Sequence, residues 1–194
     1  MVHWLLCDYG GVLSLPQDPT ALARVAALVE RPVDDLTAAY WRHRLPYDRG
    51  EVTAAQYWAA VVGATQRAEV VSRLVALDVA SWTRPNRPVL AAARAARRAG
   101  ISVAVLSNAP AEIARALDRL RWMAGFSPRL FSCDLRLAKP DAAIFATALT
   151  ALGATPAEVV FVDDREENVT AARAVGLDAR RFCGPEDLGA LALS

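Results

Sequence analysis

What this chain lacks narrows its function before anything it contains. No apolar run approaches the roughly 18 to 20 residues that a membrane-crossing helix needs, so no bilayer span is expected. The opening stretch, "MVHWLLCDYGG", has neither a basic leading region nor a small-residue cleavage site, so a secreted product is not expected either. Cysteine is scarce. Cys7, Cys133 and Cys183 are far apart, odd in number, and form no C-x-x-C pair for zinc or redox work. Two lie inside apolar runs and read as buried thiols, which suits a cytoplasmic protein with reduced cysteines. Surplus charge is lacking too: 22 basic residues against 21 acidic ones leave a net +1, with no global field to draw in nucleic acid or an anionic membrane. Arginine-rich stretches such as "RAARRAG" therefore read as solvated helix faces. There is no internal repeat and no low-complexity linker. What remains is 194 residues, 54% hydrophobic and 22% charged, enough for one globular domain with a modest insertion.

Short apolar runs alternate with amphipathic segments. "VHWLLC" (2–7), "SVAVL" (102–106) and "VVFV" (159–162) have the length and branching of strands buried on both faces. "RLFSC" near 129–133 and "ARRFC" near the end are further strand candidates. Helical patterning fills about 86–99, 110–121, 141–151 and 165–175, with Gly100, Gly153 and Gly176 where those helices should stop. Strands alternating with helices predict an α/β fold, a Rossmann-like parallel sheet with helices on both faces. The stretch 15–84 breaks this rhythm and reads as helices alone, about 19–30, 34–44, 53–62 and 67–79, punctuated by Pro16, Pro19, Pro32 and Pro46. It is expected to be a small all-helical cap inserted after the first strand, with the core at 1–14 and 85–194. An N-terminal helical half of one core is the plainer alternative.

Each buried run ends on polar residues. "WLLC" meets Asp8, "VAVL" meets Ser107 and Asn108, and "VVFV" meets Asp163 and Asp164. In open parallel sheets ligands bind beyond the carboxyl ends of the strands, so these groups should converge on one edge. Lys139 in "AKPDAAIF" precedes a helix start, and helix N-termini there would favour an anion. Three carboxylates against one ammonium would repel an anionic substrate. A hard divalent cation restores the balance, and Mg²⁺ with oxygen ligands is the natural choice. A carboxylate nucleophile beside a metal, a lysine and a hydroxyl is the arrangement for covalent phosphoryl transfer.

At this point "DYGGVL", "VLSN", "AKPD" and "FVDD", in that order and at strand ends or helix starts, resemble the four motifs of the haloacid dehalogenase-like hydrolases. The resemblance covers 1–14 and about 85–183, and that superfamily places a cap where 15–84 sits. It implies Asp8 as nucleophile and metal ligand, with the backbone carbonyl of Gly10 as a second ligand. Ser107, with the backbone at Asn108, would hold phosphoryl oxygens. Lys139 would neutralise nucleophile and phosphate, and Asp164, supported by Asp163, would complete the metal site.

Position 10 departs from the pattern. Phosphatases of this superfamily usually carry there an aspartate that protonates the leaving oxygen, and Gly10 has no side chain to do so. General acid–base help is worth about 10² to 10⁴ in rate. A D-x-G branch that includes sugar-phosphate phosphatases resembles this chain, which implies a small phosphorylated metabolite as substrate. The alternatives are a 2-haloacid dehalogenase, which would carry tyrosine two residues after the nucleophile and no metal, and a non-catalytic binder of a phosphate ligand or partner. In the cap, "YWRHRLPYDRGEVTAAQYW" offers Arg42 and His43 as groups that could face the nucleophile, His43 as a side chain able to donate the missing proton. Tyr40, Trp41, Tyr57 and Trp58 read as packing, and exposed cap aromatics also allow a homodimer.

Overall fold

Runs with apolar residues on both faces fold as strands only where helices cover both sides of the sheet, and that is the architecture observed. The computed structural model describes residues 2–186; residues 187–194 of the expected core lie outside the described residues. Among the described residues, one parallel sheet contains β1 (Trp4–Cys7), β2 (Ser102–Ser107), β3 (Arg129–Phe131), β4 (Val159–Asp163) and β5 (Asp178–Arg181), in the order β3-β2-β1-β4-β5. Between β1 and β2 run α1 (Ala21–Leu28), α2 (Val33–Arg42), α3 (Arg44–Asp48), α4 (Ala54–Val62), α5 (Ala68–Ser81) and α6 (Arg87–Arg98). Later crossovers carry α7 (Ala111–Asp118), the single turn α8 (Ser132–Leu135), α9 (Ala142–Leu152) and α10 (Glu166–Ala174).

Successive strand residues point to opposite faces. Leu5, Cys7, Val103 and Val105 pack with Val89, Ala93 and Ile113 of α6 and α7. Leu6, Ala104, Leu106 and Phe161 pack with Ile144, Phe145 and Val169 of α9 and α10. Each Val, Leu, Ile or Phe side chain so withdrawn from water contributes about 1.5 to 3 kcal/mol. A third cluster (Val25, Leu36, Tyr40, Tyr57, Trp58 and Leu74 at its centre) is built from the inserted helices alone. The insertion leaves and rejoins the sheet through two crossing segments: Ser14 bridges Pro85, the Leu15 amide donates to the Arg84 carbonyl at 2.9 Å, and the Asn86 amide donates to Leu13 at 2.9 Å. No helix among the described residues is long and apolar enough to cross a membrane.

The sheet order carries the functional hint. Connections from β1 run to β2 and β3 on one side and to β4 and β5 on the other, so the order reverses beside β1. That switch point opens a crevice at the carboxyl ends of the strands.

Candidate active site

Register sets the site. Cys7 pairs with Val105 on one side and Val162 on the other, so Asp8 emerges level with the last residues of β2 and β4. The Asp8 amide still donates to the Val162 carbonyl at 2.8 Å, holding it to the sheet. Immediately beyond, Tyr9–Leu13 form a wide turn closed by the Ser14 amide donating to the Tyr9 carbonyl at 2.8 Å. Gly11 sits in this turn at φ 79°, and a methyl group there would lie 2.5 Å from Asp164 Oδ2, so only glycine lets the carboxylate approach the turn.

Asp8, Asp163 and Asp164 place carboxylate oxygens within 4.8 Å of one another. Lys139 reaches into this group from the loop before α9. Its Nζ lies 2.8 Å from Asp8 Oδ1 and 2.6 Å from Asp163 Oδ2. Asn108 fixes the lysine's backbone reciprocally: its amide donates to the Lys139 carbonyl at 2.8 Å and accepts from the Lys139 N–H at 2.9 Å. Asp163 is fully buried and saturated, accepting from Lys139, from the Arg165 amide at 2.9 Å and from Asn168 Nδ2 on both oxygens. Asn168 is itself buried in this duty.

The electrostatics follow from crowding. Burial first, then the neighbouring Asp163 and Asp164 charges, push Asp8 up to about 7 despite Lys139. Asp164 is raised by the same causes, burial ahead of Asp163. Burial works against the charge on Lys139, but Asp163 and Asp8 outweigh it and hold its pKa above the ordinary lysine value. Three crowded carboxylates with one ammonium and no aromatic or thiol donor among them fit a hard, oxygen-seeking divalent ion.

A cavity of about 750 Å³ opens over this cluster, and Asp8, Gly10, Ser107, Asn108, Lys139 and Asp164 all border it. Arg42 and His43 do not border it, which corrects the expectation from sequence. α2 and α3 run nearly end to end through His43, so residues spaced by three, four and seven share a face. Trp41, Arg44, Leu45 and Asp48 are that face and do line the cavity, whereas Arg42 is exposed. A helix expected to stop near 44 in fact continues through α3 to Asp48. Trp82 was missed altogether. It follows α5 at the return to the core, and Tyr9 Oη donates to its carbonyl at 2.7 Å. A Cβ at Gly10 would meet its ring at 3.1 Å. The space beside the nucleophile where a side chain at position 10 would stand is thus occupied by indole.

Known proteins resemble this chain in the same terms. At 28% identity, 88% of it aligns with 34% of the mouse (Mus musculus) bifunctional epoxide hydrolase 2. At 30% identity, 48% of it aligns with 48% of a sesquiterpene phosphatase of Aspergillus oryzae. The chain therefore spans about a third of the length of the first of these relatives and about half of the second. Among solved structures, a HAD family enzyme of Bacteroides thetaiotaomicron, as an aspartate-to-alanine mutant complexed with magnesium and inorganic phosphate, superposes with a TM-score of 0.75 at 19% identity, over 93% of this chain and 94% of that one. An L-2-haloacid dehalogenase superposes with a TM-score of 0.72 at 18% identity, over 100% and 99%. At those identities the structures speak for the fold alone. The haloacid dehalogenase-like hydrolase family matches residues 14–176, well over half of the chain. With that match and the sheet order agreeing, this chain belongs to the haloacid dehalogenase-like hydrolases.

Proposed function

We propose that the protein is a Mg²⁺-dependent phosphomonoester hydrolase working through an aspartyl phosphate on Asp8, with residues 15–84 acting as its cap. The observation that carries this reading is the single cluster in which Asp8 lies 2.8 Å from a buried lysine and within 4.8 Å of Asp163 and Asp164. A relative named for phosphatase activity and a fold neighbour complexed with magnesium and phosphate support it. The dehalogenase alternative has only the shared fold behind it.

Asp8, the Gly10 carbonyl and Asp164 would hold the ion, because Asp163 spends its oxygens on Lys139, Asn168 and the Arg165 amide. Bound there, the ion supplies positive charge to screen the phosphoryl group from the carboxylates. An Asp8 oxygen forms a bond to phosphorus as the bond from phosphorus to the ester oxygen breaks. Lys139 Nζ, fixed by Asp163 and Asn108, balances charge on nucleophile and phosphoryl oxygens, and Ser107 donates to the latter. Water then cleaves the acyl phosphate, freeing phosphate and restoring Asp8. Gly10 offers no proton, so the departing oxygen takes its proton from water, and groups stable as anions leave fastest.

The test is p-nitrophenyl phosphate hydrolysis with Mg²⁺, with a chelator, and in Asp8→Asn. Turnover is expected with the ion, with loss of at least about 10³-fold in the other two. Turnover that survives Asp8→Asn, or chloride release from 2-chloropropionate without metal, would overturn the reading.

A further inference from the structure

The walls of the cavity differ from its floor. The floor carries the carboxylates, Lys139 and Ser107. On the walls, the polar side chains are already bonded to protein. Arg44, 6% exposed, donates to Asp48 at 2.7 Å, to Asp78 at 3.2 Å and to the Tyr40 hydroxyl. Gln17 donates its amide to Tyr40 and Ser81 hydroxyls at 3.1 and 3.2 Å. The apolar wall residues are in the opposite state. Trp41 is 49% exposed and Leu45 42% exposed, and they are the two exposed large apolar side chains of the insertion that line the cavity; Leu15 and Val33, also exposed, do not border it. Trp41 meets Trp82 edge to face, ring centroids 6.4 Å apart, so an indole surface runs from Gly10 beside the nucleophile out to the mouth.

A sugar phosphate needs partners for its hydroxyls, and leaving buried hydroxyls unpaired costs affinity. These walls offer few: the exposed polar side chains on them, Arg165 and Glu167, are paired with each other. The volume of about 750 Å³ is also more than a phosphate alone requires and falls within the roughly 300 to 1,000 Å³ of sites for sizeable organic ligands.

Resting on the phosphatase reading, we propose that the substrates are phosphomonoesters of an apolar alcohol or phenol, with the first carbons against the Trp82 indole that packs beside Gly10 and the distal hydrocarbon between Trp41 and Leu45. This replaces the sugar phosphate expected from the D-x-G motif. The missing acid and the apolar wall are then one feature: the indole that occludes position 10 is the surface on which the leaving group rests.

The experiment is calorimetric binding of methyl-, butyl- and octylphosphonate, inorganic phosphate and glucose 1-phosphate to the wild-type protein with Mg²⁺. The phosphonates cannot be hydrolysed, so binding is read apart from turnover. Affinity is expected to rise about fourfold per buried methylene, putting octylphosphonate at least about 100-fold ahead of methylphosphonate. Glucose 1-phosphate should bind no tighter than inorganic phosphate. Trp41→Ala and Leu45→Ala, at exposed positions that folding tolerates, should flatten the trend. Chain-length independence, or tighter binding of the sugar phosphate, overturns the proposal. Octylphosphonate selectivity without p-nitrophenyl phosphate turnover would keep this ligand class and remove the phosphatase reading; turnover without chain-length dependence would do the reverse. Failure of every phosphonate and of phosphate to bind would remove both.

Discussion

Lys139 is the only lysine among the 22 basic residues of the chain, and it is the one placed 2.6 to 2.8 Å from two carboxylates in a buried site. Apart from Arg44, buried against Asp48 and Asp78, arginine mostly serves the surface, where its charge needs only solvent or an exposed partner. Within this cluster a compact ammonium with three donors fits between Asp8 and Asp163, where a planar guanidinium would not. The single lysine side chain also makes the site readable, its peptide being distinct from the one that carries the α-amino group. Amine-directed acetylation followed by peptide mass analysis should leave Lys139 unmodified in the folded protein and modify it after denaturation. Ready modification in the folded state would contradict the burial. Gly11 gives a second prediction at this scale. Gly11→Ala puts a methyl 2.5 Å from Asp164 Oδ2 at a φ of 79°, costing about 1 to 2 kcal/mol in backbone strain and displacing the carboxylate. The Mg²⁺ concentration for half-maximal turnover should rise about 10-fold to 100-fold, the usual consequence of disturbing a ligand's support. An unchanged Mg²⁺ response would remove Asp164 from the metal site.

At the scale of elements, the sequence was most legible where periodicity and burial agree. Strands 102–107 and 159–163 and helices α9 and α10 stand where apolar runs and the glycines at 153 and 176 put them. The edge strands were harder. In "RLFSC" only Arg129–Phe131 pairs with β2, and Ser132 turns at once into α8, because its hydroxyl accepts from the Ala109 amide and donates to the Asp48 carbonyl. Neither partner is near it in sequence. The site divides the same way. Asp8, Ser107, Lys139 and Asp164 are announced by strand ends and helix starts, but Trp82 and the face formed by Trp41, Arg44, Leu45 and Asp48 depend on how the insertion folds back over the sheet. In the insertion, α4 supplies the central packing residue: Trp58 is fully buried, edge to face with Tyr57 at 5.0 Å and tilted against Tyr40 at 6.1 Å. Trp58→Ala should cost about 3 to 5 kcal/mol. Because the insertion's core is separate from the two clusters of the sheet, that loss should appear in denaturant as an early transition, seen by tryptophan fluorescence and by part of the helical signal, ahead of a second transition that removes the rest. A single shifted transition would mean the two parts unfold as one.

At the scale of the whole molecule, besides packing Val79 and Trp82 on one cluster of the sheet, the insertion is bonded to the rest of the chain at two ends of the cavity. One end is the covalent pair of segments at 13–16 and 84–86. The other is a latch around α3: Tyr47 donates to Glu112 at 2.8 Å, Arg49 pairs with Asp141, Arg136 donates to the Gly50 carbonyl, and Ser132 Oγ donates to the Asp48 carbonyl at 2.5 Å. The members of this latch are unequal. Arg49 and Asp141 are 26% and 45% exposed, so their attraction is screened and worth at most about 1 kcal/mol. Ser132 is fully buried and joins the Asp48 carbonyl to the Ala109 amide, two residues beyond Ser107. Ser132→Ala would strand a buried donor and a buried acceptor, a cost of about 1 to 3 kcal/mol that falls on the closed arrangement in which both are bonded. If substrate is held only when the insertion is closed over Asp8, that cost reappears as weaker apparent affinity, about tenfold for each 1.4 kcal/mol. Ser132→Ala should therefore raise KM for p-nitrophenyl phosphate about fivefold to 100-fold and speed amide hydrogen exchange across 44–50, while Arg49→Ala changes KM little and only at low salt. Faster exchange with an unchanged KM would show that closure of this latch does not govern binding, and the insertion would then serve the site only through the wall it presents.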